Sequence, residues 1–317
     1  MKKIQRKILA AGMLSLLFVL IGCGNQKAEE KLETGRETAF IFTDDLGREV
    51  RVGNSERVAT LIGSFTDIWL LAGGKVTATA DDSWESLELP LGEEVVNLGS
   101  ILEPDIEKLI ASEPDFVIAS ANVDVNIEME EILSQAGIEV AYFAVSNFDE
   151  YLHMLRICTQ ITGREDLYVQ NGLKVQEQIA EIKERVDGRA PVVLFLRASA
   201  TSVKAKGSRG SVCGEMLSDL GCINIADNNE GLLDELSMEA IIAADPDYIF
   251  VTIQGNNQDA AMHNVEELLI SNPAWGSLTA VKEKNYYLLD KRLYYLKPNA
   301  RWGEAYAGLA DILYPES

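Results

Sequence analysis

"DIEKLIASEPDFVIAS" (Asp105–Ser120) and "SMEAIIAADPDYIFVT" (Ser237–Thr252) are the same short pattern written twice, each position of the second lying 132 residues after its counterpart. Asp105 and Ser237 are both favoured helix N-caps. Ile106, Leu109 and Ile110 answer to Met238, Ile241 and Ile242, so each copy carries one apolar helix face. Pro114 and Pro246 stop the helices, and Asp115 and Asp247 supply the turns. "FVIA" and "YIFV" then read as short buried strands. Each copy is a helix feeding a strand, the repeating unit of an α/β fold.

The surroundings extend the pattern. "RVATLIG" (57–63) reads as a strand and "TDIWLLAGG" as a helix closed by Gly73-Gly74. "EMEEILSQAG" is a further helix and "IEVAYFA" a further strand. "PVVLFLRA" (191–198) opens a second series, with helices at "GEMLSDLG" and "NVEELLISNPAW" and a late strand at "KNYYLLD". Two similar α/β lobes are expected, at 40–145 and 190–317, with a helical connector over 146–189. Within the connector, 164–186 places Tyr168, Val175, Ile179, Ile182 and Val186 on one helical stripe. Such a helix is about 34 Å long, has no proline, and has Gly172 as its weak point. The expectation is two lobes joined by a single long rigid helix, with a ligand cleft between them. The plainer alternative is a surface helix of one continuous domain.

The N-terminus carries a different message. Lys2, Lys3, Arg6 and Lys7 precede an apolar run from Ile8 to Ile21, too short for a membrane span of roughly 20 residues and suited to an export signal. Leu20-Ile21-Gly22-Cys23 resembles the lipobox of bacterial lipoproteins. That resemblance implies a signal peptide over 1–22 and a lipid on Cys23 that anchors the chain to the membrane outside the cytoplasm. Residues 23–39 are polar, without apolar periodicity, and read as a flexible tether.

The formal net charge of −22 excludes nucleic-acid binding through the general field. Three cysteines remain after Cys23, with no CxxC and no Cys/His cluster. Cys213 and Cys222 would be about 13 Å apart along a helix, beyond the ~7 Å that a disulfide spans. All three thiols are expected to be inert. His153 and His263 are the only histidines and lie far apart, so a polyhistidine metal site is not expected. "KGSRGS" lacks the ending of a phosphate loop, and neither a G-x-S-x-G elbow nor an H-E-x-x-H pair occurs. No enzyme activity and no cofactor are expected.

The opening "FTDDLGREVRV", the two Pro-Asp repeats, the long helix and "AWGSLTAVKEKNYYLLD", in this order, resemble the helical-backbone substrate-binding lipoproteins of ABC importers for iron complexes, haem and cobalamin. The resemblance runs from about Phe40 to Pro315. It implies a monomer that captures an Fe(III) chelate, siderophore or haem, and hands it to an ABC permease dimer with its ATPase subunits. A corrinoid ligand, or a capture protein serving a sensor or relay, are the alternatives. It also implies one docking glutamate per lobe for arginines of the permease, and Glu107 and Glu239 occupy those positions. Without the resemblance, both glutamates read as first-turn carboxylates facing the positive helix end.

In two-lobed α/β proteins ligands sit beyond the carboxyl ends of the strands. Those ends place Ser64, Phe65, Asn122, Arg197 and Gln254 at the cleft, with Trp84 in "ADDSWES" as an aromatic wall. From Pro191 to Gly214 no acid occurs, although Arg197, Lys204, Lys206 and Arg209 do. From Lys291 to Arg301 the same holds around Lys291, Arg292, Lys297 and Arg301, beside Tyr294, Tyr295 and Trp302. These islands point to an anionic or carboxylate-bearing ligand held by cations and aromatic faces. By the resemblance, Arg209 matches an arginine of catecholate binders. Asn122 and Gln254 stand where further arginines would be, which argues against a catecholate and leaves a hydroxamate siderophore, haem or a corrinoid.

Overall fold

The first series of strands comprises β1 (Phe40–Thr43), β2 (Glu49–Val52), β3 (Val58–Thr60), β4 (Val76–Thr79), β5 (Val96–Asn97), β6 (Phe116–Ser120) and β7 (Glu139–Phe143). The second comprises β8 (Val192–Ala198), β9 (Val203–Ala205), β10 (Ile223–Asn224), β11 (Tyr248–Ile253) and β12 (Tyr286–Leu288). The computed structural model describes residues 39–315 except Glu235. The segments expected to be a signal peptide, a lipidation site at Cys23 and a tether lie, up to residue 38, outside the described residues.

Each series builds one sheet. The first has the order β5-β4-β3-β6-β7 with every pair parallel. The second has the order β10-β8-β11-β12, also parallel, with β9 antiparallel on the far half of β8. The β1–β2 hairpin lies apart and buries Val50 and Val52. Every residue of β6 is buried, as expected of a central parallel strand covered on both faces. The protein is thus α/β with two lobes, one per sheet.

The repeated stretch does the same work in both lobes. Asp105 accepts from the Lys108 N–H (3.0 Å) and caps the Ile106–Ala111 helix; Ser237 accepts from the Ala240 N–H (3.3 Å) and caps Met238–Ala244. Glu113 and Asp245, each before its proline, both take left-handed backbone, at φ 45° and 41°. Proline disfavours a right-handed helical residue before it, so the chain leaves the helix there. Asp115 then donates its N–H to the Arg57 carbonyl (2.8 Å) and accepts the Arg57 N–H on its carboxylate (3.0 Å). Asp247 does the same to Val192, at 2.8 Å in both bonds. Each aspartate therefore pins the start of the neighbouring parallel strand, which is why the second lobe repeats it.

The connector differs from one straight rod. Helix runs from Glu165 to Lys183, and a π-helical turn occupies Val169–Leu173. Gly172 is buried in that turn, where a Cβ would come within 2.7 Å of Leu152 Cδ1. The Asn171 carbonyl accepts the Tyr151 hydroxyl (2.7 Å), and its side-chain amide donates to the Leu71 carbonyl (2.8 Å). The weak point foreseen at Gly172 is thus a specific local rewinding that ties the helix to the first lobe. Nor does this helix stand alone. The Phe148–Thr162 and Trp302–Leu313 helices lie with it, and one hydrophobic core runs from Val58 and Phe116 through Tyr151, Val175, Ile179 and Trp302 to Phe195 and Phe250. The described residues accordingly form one compact unit.

Trp302 is at the centre of this shared core, fully buried, 6.2 Å edge-on from Phe148 and 6.3 Å from Tyr306. Trp302→Ala is expected to cost about 3–5 kcal/mol, read as a lower urea midpoint at unchanged slope. Cys158 and Cys213 are buried and Cys222 half-buried, all three free. Burial raises each thiol, Cys222 to about 12. Thiols raised this far carry no reactive thiolate at neutral pH.

Candidate ligand cleft

A cavity of about 710 Å³ lies between the lobes, beyond the carboxyl ends of β3, β6, β7, β8 and β11. Its first-lobe wall is built on the Asp82–Glu85 helix, and a buried hydroxyl network fixes that helix in place. Thr79 Oγ1 lies 2.6 Å from Thr66 Oγ1 and 2.8 Å from Ser83 Oγ, and accepts from Thr60 Oγ1 at 2.9 Å. Gly63 lets the next helix start directly against it: a Cβ there would sit 2.8 Å from the Ser83 nitrogen. The Gly63 N–H donates to Asp82 Oδ1 at 2.9 Å, so this helix start is already occupied by a carboxylate. Burial pushes Asp82 up to about 6, aided by Asp81 and opposed by the Gly63 N–H and Lys297.

The opposite side is cationic. Arg197, at the end of β8, stands over the Tyr295 ring (5.3 Å), and its Nε is buried without a partner. Burial lowers its pKa. Lys297 lines the cleft with its ammonium 5.5 Å from the Phe65 ring centroid and makes no ion pair among the described residues. Burial depresses Lys297 to about 8, against the pull of Asp82 and Glu150. The loop is held by Asn299, which donates to the Ser64 carbonyl (2.9 Å) and Asp67 Oδ2 (2.8 Å).

One edge of the cleft is bridged between the lobes. Lys291 Nζ donates to Asn256 Oδ1 (2.8 Å), the Gly255 carbonyl (2.9 Å) and Ser86 Oγ (3.4 Å). Arg292 donates to the Ser86 carbonyl (3.1 Å) and pairs with Glu88 (2.7 Å). Beyond this bridge lies a second cavity of about 620 Å³ that shares Glu85, Ser86 and Lys291.

Of the residues expected at the cleft, Ser64, Asn122, Arg197, Gln254 and Tyr295 line it together. The others do not. Phe65 and Trp302 are wholly buried, because the helix faces that carry them close the shared core. Tyr294 is buried with its hydroxyl donating to the Ala305 carbonyl (3.1 Å). Arg301 is turned outward onto Glu304 at 2.7 Å. Trp84 is half-buried on a helix whose cleft-facing positions are Asp81, Asp82 and Glu85. Lys206 and the exposed Arg209 stay outside the cavity, although Gly210–Val212 just beyond them line it. The carboxylates of "ADDSWES" carry no signal of their own in a chain with 50 acidic residues spread along it. Lys291 and Lys297 carried a signal, the acid-free island, that did not say which members point inward.

Neither histidine reaches the cleft: His153 is 3.7 Å from Asp45 and the exposed His263 is 3.4 Å from Glu267. His263 is therefore not placed to ligate a haem iron there. Among the described residues no cluster of three or more His, Cys, Asp or Glu side chains gathers to hold a metal ion. Glu107 and Glu239 are exposed on the first turns of the two repeated helices, without an ion pair among the described residues.

Residues 58–293 match the family model described as "Periplasmic binding protein". The chain belongs to the periplasmic binding protein family. This binding protein is 24% identical over 299 residues to the Fe(3+)-citrate-binding protein YfmC of Bacillus subtilis, covering 92% of each chain. It is 26% identical to the iron-uptake system-binding protein of the same organism, over 91% of each. The siderophore-binding protein BauB, solved with two acinetobactin molecules and ferric iron, superposes at a TM-score of 0.71, covering 88% of this chain and 100% of that one, at 16% identity. That likeness shows the two-lobed helical-backbone fold of the binding protein.

Proposed function

We propose that this binding protein is a lipoprotein anchored through Cys23 that captures an anionic iron chelate in the inter-lobe cleft and delivers it to an ABC permease through Glu107 and Glu239. The observation that carries the ligand assignment is a pair of cations inside the cavity, Arg197 and Lys297, that make no ion pair among the described residues. Burying cations without counter-charges is costly, and a ligand carboxylate offsets that cost with charge-assisted hydrogen bonds. The iron-related names of the two Bacillus subtilis relatives support iron as the cargo.

The test is a titration of the chain from Asn25 onward, which keeps the whole compact unit, followed by intrinsic tryptophan fluorescence. Ferric citrate, ferric hydroxamates, ferric catecholates, haem and cobalamin form the panel. Saturable quenching by a ferric carboxylate or hydroxamate with a Kd below about 1 μM is expected. Binding of cobalamin alone would reassign the cargo, and silence across the panel would turn the assignment towards a sensor or relay.

A further inference from the structure

The two walls of the cleft carry opposite charge. Every carboxylate lining it, Asp81, Asp82 and Glu85, comes from the first lobe, and every cation, Arg197, Lys291 and Lys297, comes from the second half of the chain. Three of the six are engaged. Asp82 accepts the Gly63 N–H, Glu85 accepts from Asn256 Nδ2 at 3.3 Å, and Lys291 holds the inter-lobe bridge. Asp81, Arg197 and Lys297 have no ion pair among the described residues. A wholly anionic ligand satisfies the two cations and meets carboxylates on the facing wall. A wholly cationic ligand has the reverse difficulty. Only a molecule with both signs, set at opposite ends, meets complementary charge on both sides.

We infer that the cleft selects a dipolar iron chelate, its carboxylate face on Arg197 and Lys297 and an ammonium group against Asp81 and Glu85. This rests on the binding function proposed above and adds the charge pattern and orientation of the ligand. Asp82 takes little part, because its carboxylate already closes a helix start.

A matched pair of ligands tests it: a ferric α-hydroxycarboxylate chelate carrying one free primary amine, and the same chelate with that amine acetylated. The protein from Asn25 onward is expected to bind the amine form at least about tenfold more tightly than the acetylated form. Asp81→Asn should remove most of that preference, by weakening the amine form and leaving the acetylated form unchanged or tighter. Glu85→Gln should act in the same direction. Arg197→Met should weaken both forms equally. Equal affinity of the two forms for the unmodified protein overturns the inference. So does an equal loss for both forms in Asp81→Asn, the result expected if the wall charges only draw the lobes together. Binding of neither form, with silence across the wider panel, overturns the proposed function itself.

Discussion

Cells carrying Glu107→Ala together with Glu239→Ala are expected to take up no labelled iron chelate, while the purified variant binds the chelate as tightly as the unmodified protein. Both glutamates are exposed, make no ion pair among the described residues, and lie in the first turn of the same helix of the duplicated unit. A carboxylate facing a guanidinium forms two charge-assisted hydrogen bonds of fixed geometry, each contributing about 1.5–3 kcal/mol. A permease built from two like subunits needs two such contacts, one per lobe. Even one such bond per contact makes the loss of both about 3–6 kcal/mol, a factor of roughly a hundred to ten thousand in docking. Each single variant should keep partial uptake. The favourable interaction of each glutamate with its helix end is about 0.3–1 kcal/mol, so folding should change little. Lost chelate binding in the double variant would refute a docking role.

Arg197→Met combined with Lys297→Met is expected to weaken binding of a ferric carboxylate about a hundredfold or more. Each cation offers the anion a charge-assisted bond of about 1.5–3 kcal/mol, in a cavity where neither makes an ion pair among the described residues. Lys297 also sets a pH dependence. Burial lowers it from 10.5 to about 8, and only the protonated form attracts the anion. Affinity is therefore full below about 8 and falls as the pH rises through that value. In Lys297→Met the fall near 8 should disappear. Calorimetry over about three pH units, roughly 6.5–9.5, around the shifted lysine checks both statements. A profile unchanged by the substitution would remove Lys297 from the site.

The repeated pattern was legible because short-range rules govern it. A cap, an apolar face, a proline and an aspartate at fixed spacing leave the chain few options, and both copies obey them. The connector was legible in its stripe, with Val175 and Ile179 buried as spaced, and less so in its course. The π-turn at Val169–Leu173 depends on Tyr151 and Leu71 from two other helices, which local spacing does not contain. Ser64, Asn122, Arg197, Gln254 and Tyr295 were found at the cavity because strand ends are visible in sequence. Phe65 and Trp302 were misplaced because helix orientation decides between cleft and core, and the shared core claimed them.

By itself, then, the amino-acid order determined an α/β chain with a duplicated helix–strand unit and two acid-free islands in its second half, since periodicity, capping and composition act over a few residues. Which side chains share a cavity was decided only by the tertiary structure. Asp81 and Arg197 are far apart along the chain, and they face one cleft because two separately built sheets pack against common helices. The charge across that cleft is a property of the packing, and no stretch of the sequence contains it.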